Sequence, residues 1–114
     1  MADHITVCVC TYRRNALLAR LLRNLALQRT DGLFTYSAVV VDNDPEGPAR
    51  AEVESLRSDL PALEILYGIE PDKSIPAARN QALRLARGPF IAIIDDDEFP
   101  PPDWLLTLYE GIRT

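Results

Sequence analysis

The chain has 114 residues, room for one hydrophobic core and not for two independent ones. Hydrophobic residues at 47% and charged residues at 25% fit a globular domain and exclude general disorder, while a net charge of -5 argues against a nucleic-acid partner. No stretch approaches the roughly eighteen apolar residues that cross a bilayer, and the first residues lack the layout of a secretory signal, so a cytoplasmic location is expected.

Residues 5–10 form a β-branched apolar run with apolar side chains on both faces, which predicts a strand buried on both sides. Cys8 and Cys10 share one of those faces. With no further cysteine and His4 the sole histidine, they read as a reduced thiol pair rather than a metal site or disulfide framework. Asn15 is placed to cap a helix in which Leu17, Leu18, Leu21, Leu22 and Leu25 recur at the spacing of one helical face, closed by Thr30-Asp31-Gly32. Residues 36–41 predict a second buried strand, followed by dense turn chemistry from Asp42 to Pro48. Residues 49–59 predict a helix with Val53, Leu56 and Leu60 inward, and residues 63–67 a third strand. Ser74 reads as an N-cap, with Pro76 tolerated in the first turn of a helix reaching Arg87 before Gly88-Pro89 stops it. Residues 90–94 predict a fourth strand, and Asp103 a cap for a last helix from Trp104.

Alternation of strand and helix implies a mostly parallel sheet covered by helices on both faces, a three-layer α/β/α sandwich. Such sheets bind ligands beyond the carboxyl ends of their strands, where strand order reverses. That rule singles out Thr11-Tyr12-Arg13-Arg14, Asp42-Asn43-Asp44 and Asp95-Asp96-Asp97-Glu98, each directly after a predicted strand. Charge is divided in the same way. Residues 11–29 carry five arginines and no acid, and residues 95–110 carry six acids and no base. That division suits either a site that handles an anion and a cation together or two unrelated solvated faces.

The four consecutive acids repel one another, which raises their proton affinity and strains the turn unless a cation is near. Carboxylate oxygens suit a hard divalent ion that shares its coordination with phosphate. Asp42 is another carboxylate delivered by a buried strand, able to accept from a base N–H or a ribose hydroxyl. Several chemistries have no support: there is no G-x-G-x-x-G after the first strand, no P-loop, no G-x-S-x-G elbow, and no second histidine for a triad. A receiver-like domain would place paired acids early and a lysine late, whereas the acids here are late and Lys73 is the sole lysine.

Together the segments resemble family 2 glycosyltransferases. Ile5-Thr-Val-Cys-Val-Cys-Thr-Tyr-Arg-Arg is similar to that family's opening strand and loop, and Val39-Val-Val-Asp-Asn-Asp to its second-strand aspartate. Ser74-Ile-Pro-Ala-Ala-Arg-Asn-Gln-Ala is similar to its Ala-Arg-Asn helix, and Ile93-Ile-Asp-Asp-Asp-Glu to its D-x-D element. Glu98 departs by standing where many relatives carry a further Asp. The resemblance implies a GT-A fold with strand order 3-2-1-4. It implies transfer of a sugar, with inversion, from a nucleotide-diphosphate sugar donor to an unknown acceptor with Mn2+ or Mg2+, as in polysaccharide assembly. Carried over by position, Thr11, Tyr12 and Arg13 line the nucleotide pocket, Asp42 binds the base, and Arg79 lies beside the nucleotide. Asp95 meets ribose or donor sugar, Asp96 belongs to the same nucleotide-sugar site, and Asp97 ligates the metal.

The same resemblance makes residues 1–114 a single donor-binding half-domain, with the acceptor half and the general base outside it. Glu110, in the last predicted helix, is a poor substitute for that base. The alternative reading is a non-catalytic nucleotide- or metal-binding module, a remnant that binds donor without turnover. In either case the fourth strand is an open edge, which predicts homodimerisation through it, and membrane proximity would come only through the missing regions.

Overall fold

A computed structural model describes residues 3–113. Its elements run β1 (Asp3–Thr11), α1 (Asn15–Leu25), β2 (Phe34–Asp42), α2 (Arg50–Asp59), β3 (Ile65–Ile69), α3 (Ile75–Leu85), β4 (Phe90–Asp95) and α4 (Trp104–Arg113). All strand pairs are parallel and their order is β3-β2-β1-β4, the expected 3-2-1-4. The register sets Thr11 beside Asp42 and Cys10 beside Asp95, so three strand tips end at one level.

Connection direction decides the layers. The steps β1 to β2 and β2 to β3 run the same way, and right-handed crossovers place α1 and α2 on one face. The return from β3 to β4 passes over the sheet in the opposite direction and puts α3 on the other face. The larger core accordingly joins Leu18, Leu21, Leu22 and Leu25 of α1, Val53 and Leu56 of α2 and Leu105 of α4 to the strand residues Val7, Val9 and Val40. The smaller core sets Ala78 and Ala82 of α3 against Cys8, Val39 and Val41. Small residues on α3 allow its backbone close to the sheet. Because α3 lies over the middle of the sheet, Ile91 and Ile93 of β4 are left about half exposed on that face.

Two expected caps differ. Asn15 is the first residue of α1 rather than its cap. Arg14 holds the cap position without a side-chain bond, and the Asn15 amide donates instead to the Pro48 carbonyl at 3.0 Å. At α4, the Asp103 carbonyl accepts from Thr107, but the side-chain cap comes from buried Gln28, whose Oε1 accepts from the Leu105 N–H at 2.9 Å. Gln28 also donates to the Pro101 carbonyl at 2.7 Å, satisfying its own buried amide. Ser74 caps α3 as expected, accepting from the Ala77 N–H at 3.1 Å. His4 is a satisfied core residue between the Thr35 and Ser37 hydroxyls, and both cysteines are free.

Candidate active site

Strand β4 buries Ala92 and Ile94 and then releases the acidic run into a turn. The turn is closed twice between the same residues: the Glu98 N–H donates to the Asp95 carbonyl, and the Asp95 N–H donates to Glu98 Oε1, both at 3.1 Å. Glu98 thus has a structural task that a shorter Asp would reach less well. Asp96 is only 5% exposed. Its Oδ2 accepts from the Thr11 hydroxyl at 2.9 Å and its Oδ1 from Arg14 Nη1 at 3.3 Å. These bonds fasten the middle acid to the tip of β1 and leave Asp95 and Asp97 exposed.

The basic and acidic runs of the sequence meet here. Arg14 Nη1 also lies 3.7 Å from Asp97 Oδ2, and Arg20 donates to the Asp97 carbonyl at 3.1 Å while stacking over Phe99. Two arginines therefore offset the repulsion within the turn.

The loop after β1 is held in an unusual backbone state. Arg13 has φ 54°, a left-handed conformation that a side chain adopts at some cost. Its Nε donates to buried Asp44 at 2.6 Å. That hydrogen bond and the one from the Glu46 N–H hold the Asp44 carboxyl below its ordinary range. Tyr12 projects outward beneath two cations, Arg13 at 5.2 Å and Lys73 at 5.3 Å from its ring centre.

Asp42 is fully buried, and both of its oxygens are engaged. Oδ2 accepts from the Ala49 N–H at 2.9 Å and the Tyr67 hydroxyl at 2.7 Å, and Oδ1 from the Asp44 N–H at 3.3 Å. Burial and the Asp42 carboxylate both raise the proton affinity of the Tyr67 phenol. Asp42 therefore fastens the β2–α2 turn to β3.

A cavity of about 460 Å³ opens where strand order reverses, between the tips of β1 and β4 and the start of α3. Thr11, Tyr12, Arg79, Asp95, Asp96 and Asp97 all line it. Arg13 and Asp42 do not: Arg13 is exposed and bonded to Asp44, and Asp42 is buried in the β2–α2 turn. Arg79 forms no ion pair among the described residues, so its charge is available to the cavity, where it also favours the thiolate of half-buried Cys10 against the stronger effect of burial. Glu110 is exposed on α4 and is not part of the lining. Arg14 and Asn43 also line the cavity; both stand in the strand-end segments that the sequence singles out, but the resemblance gave neither a role.

The carboxylates fit a hard cation in one way only. Asp95 and Asp97 bring oxygen ligands to the cavity, and no group of three metal-ligating side chains exists among the described residues. These residues suit an ion that completes its shell with phosphate oxygens and water.

The Glycosyl transferase family 2 model matches residues 6–114. The succinoglycan biosynthesis protein ExoM of Rhizobium meliloti (strain 1021) is 45% identical over 111 residues, covering 97% of this chain and 35% of that protein. A chondroitin synthase of Escherichia coli is 31% identical over 110 residues, covering 95% of this chain and 15% of its own length. Among solved structures, the mannosyltransferase PcManGT from Pyrobaculum calidifontis in complex with GDP-Man and Mn2+ superposes with a TM-score of 0.79 at 28% identity, over 99% of this chain and 32% of the other. S. aureus TarS 1-349 in complex with UDP gives a TM-score of 0.77 at 26% identity over the same shares. The chain thus spans about a third or less of the length of these relatives.

Proposed function

Because the chain belongs to glycosyl transferase family 2 and has the GT-A fold, we propose that it forms the donor-binding half of an inverting glycosyltransferase that takes a nucleotide-diphosphate sugar. One observation carries this reading: Asp95 and Asp97 share a single cavity with Thr11, Tyr12 and Arg79 at the reversal point of the sheet. The ligands of the two structural relatives, UDP and GDP-Man with Mn2+, support it.

In this reading Tyr12 stacks on the base, Arg79 and Arg14 face the diphosphate, and Asp95 accepts from ribose or sugar hydroxyls. Asp97 holds Mn2+ or Mg2+, a Lewis acid that stabilises charge on the departing nucleoside diphosphate. Thr11 and Asp96 position the turn rather than touch ligand. Arg13 and Asp42 act one layer further back, through Asp44 and the β2–α2 turn. An inverting transfer also needs a base within hydrogen-bond reach of the acceptor hydroxyl. No residue of the cavity suits that role, so the general base and the acceptor site are assigned to the part of the relatives that this chain does not span. Assembly of an extracellular polysaccharide is the process proposed for the whole protein, on the strength of the ExoM and chondroitin synthase relatives.

Titration calorimetry of UDP and GDP with and without Mn2+ tests the proposal. Binding of one nucleotide that strengthens with Mn2+ supports it, and no binding of either under both conditions rejects it.

A further inference from the structure

Arg14 lines the cavity and is shared between two acids of the turn. Its Nη1 lies 3.3 Å from Asp96 Oδ1 and 3.7 Å from Asp97 Oδ2. The two acids hold it differently. Asp96 is buried and has its other oxygen on the Thr11 hydroxyl, so it is a fixed anchor for the guanidinium. The Asp97 side chain is half-exposed and stands at the longer, looser end of the bridge. Arg20 reaches only the Asp97 backbone carbonyl, so among the ion pairs of the described residues it is Arg14 that meets the Asp97 carboxylate.

We infer that Arg14 is the resident counter-ion of Asp97 and makes metal binding conditional on the nucleotide. The inference rests on the nucleotide and metal reading of the cavity and goes further by naming what guards the carboxylate while the cavity is empty. A guanidinium beside Asp97 neutralises it and repels a second cation, so a free divalent ion is held off. A diphosphate brings negative charge into the same cavity. The half-exposed guanidinium, whose planar fork suits phosphate oxygens, then turns from the weaker of its two bonds toward the phosphates. Asp97 is thereby left to the metal, and by linkage the metal strengthens nucleotide binding to the same degree.

The test titrates Mn2+ alone into the wild type, Arg14→Gln and Arg14→Lys, followed by electron paramagnetic resonance of the free ion. Arg14→Gln can still donate to Asp96 but carries no charge, and is expected to bind Mn2+ about tenfold more tightly than the wild type. Arg14→Lys keeps the charge and should stay close to the wild type. Added UDP or GDP should strengthen Mn2+ binding more in the wild type than in Arg14→Gln. A folded Arg14→Gln that binds Mn2+ alone no more tightly than the wild type overturns the inference, with circular dichroism as the check. Equal tightening in Arg14→Lys also overturns it. Asp97→Asn, at an exposed position, gives a test that needs no Arg14 variant: it frees the guanidinium and should bind nucleotide in EDTA about threefold more tightly than the wild type, or better. Unchanged or weaker binding there counts against the inference. A wild type that binds nucleotide but no Mn2+, even with nucleotide present, rejects the metal reading itself, a result distinct from these.

Discussion

Thr11→Val replaces one hydroxyl by a methyl of nearly the same size, so its effect isolates a single hydrogen bond. That bond runs 2.9 Å from Thr11 Oγ1 to Asp96 Oδ2, across 85 residues of chain, and ties the tip of β1 to the acidic turn. Asp96 is 5% exposed, so water cannot readily replace the lost donor. A buried polar atom left without its partner costs about 1–3 kcal/mol. For a chain of this size that lowers Tm by roughly 5–15 °C. Urea denaturation followed by circular dichroism measures the free energy directly. Repeating it with Asp96→Asn and the double variant gives the coupling, expected to be about 1 kcal/mol or more. Nucleotide binding should weaken as well, because Asp95 and Asp97 lose the anchor that aims them. A Thr11→Val protein within about 0.5 kcal/mol of wild type would refute the claim that this bond holds the turn.

Gln28→Ala should destabilise by about 1–2 kcal/mol in the same denaturation assay, since it removes the cap of α4, and should leave nucleotide affinity unchanged. Acid unfolding should report Asp44, whose carboxyl is held below its ordinary value of 3.8 by Arg13. The stabilisation from a lowered carboxylate is complete above that value and is lost as pH falls through the lower, folded one, so Arg13→Gln should unfold at a higher pH than wild type. Self-association through the open edge of β4 is expected to appear as a dimer in sedimentation equilibrium. Ile91→Lys, at a half-exposed position on that strand, should return it to monomer, and a wild-type monomer at high concentration would contradict the expectation.

Strand and helix identities were legible because burial writes itself into local pattern. Two-sided apolar runs mark β1 and β2, and the leucine spacing marks α1. Strands β1, β2 and β4 extend beyond the predicted runs by one or two residues, as at Asp3, where pairing continues although the apolar pattern has ended, and β3 lies two residues later than residues 63–67. Caps were legible only when local. Ser74 bonds three residues ahead, whereas the cap of α4 comes from Gln28, which no window around Trp104 contains. The same limit governs the site. The three strand ends were visible, and so was the acidic turn. Which of Asp42 and Asn43 faces the cavity depends on the direction the chain takes after its last strand residue. That direction is set by Ala49 and Tyr67, which converge on Asp42 only in three dimensions. The role of Arg14 escaped for a related reason, since its partners Asp96 and Asp97 lie more than eighty residues away.

The central claim is that Asp97 presents a divalent ion to the diphosphate of a bound nucleotide. Calorimetry of Asp97→Asn against wild type, with the preferred nucleotide in the presence and absence of Mn2+, tests it most directly. The wild type should bind more tightly with the metal, and the variant, folded by circular dichroism, should bind equally in both conditions. A variant that keeps the full metal enhancement would contradict the account.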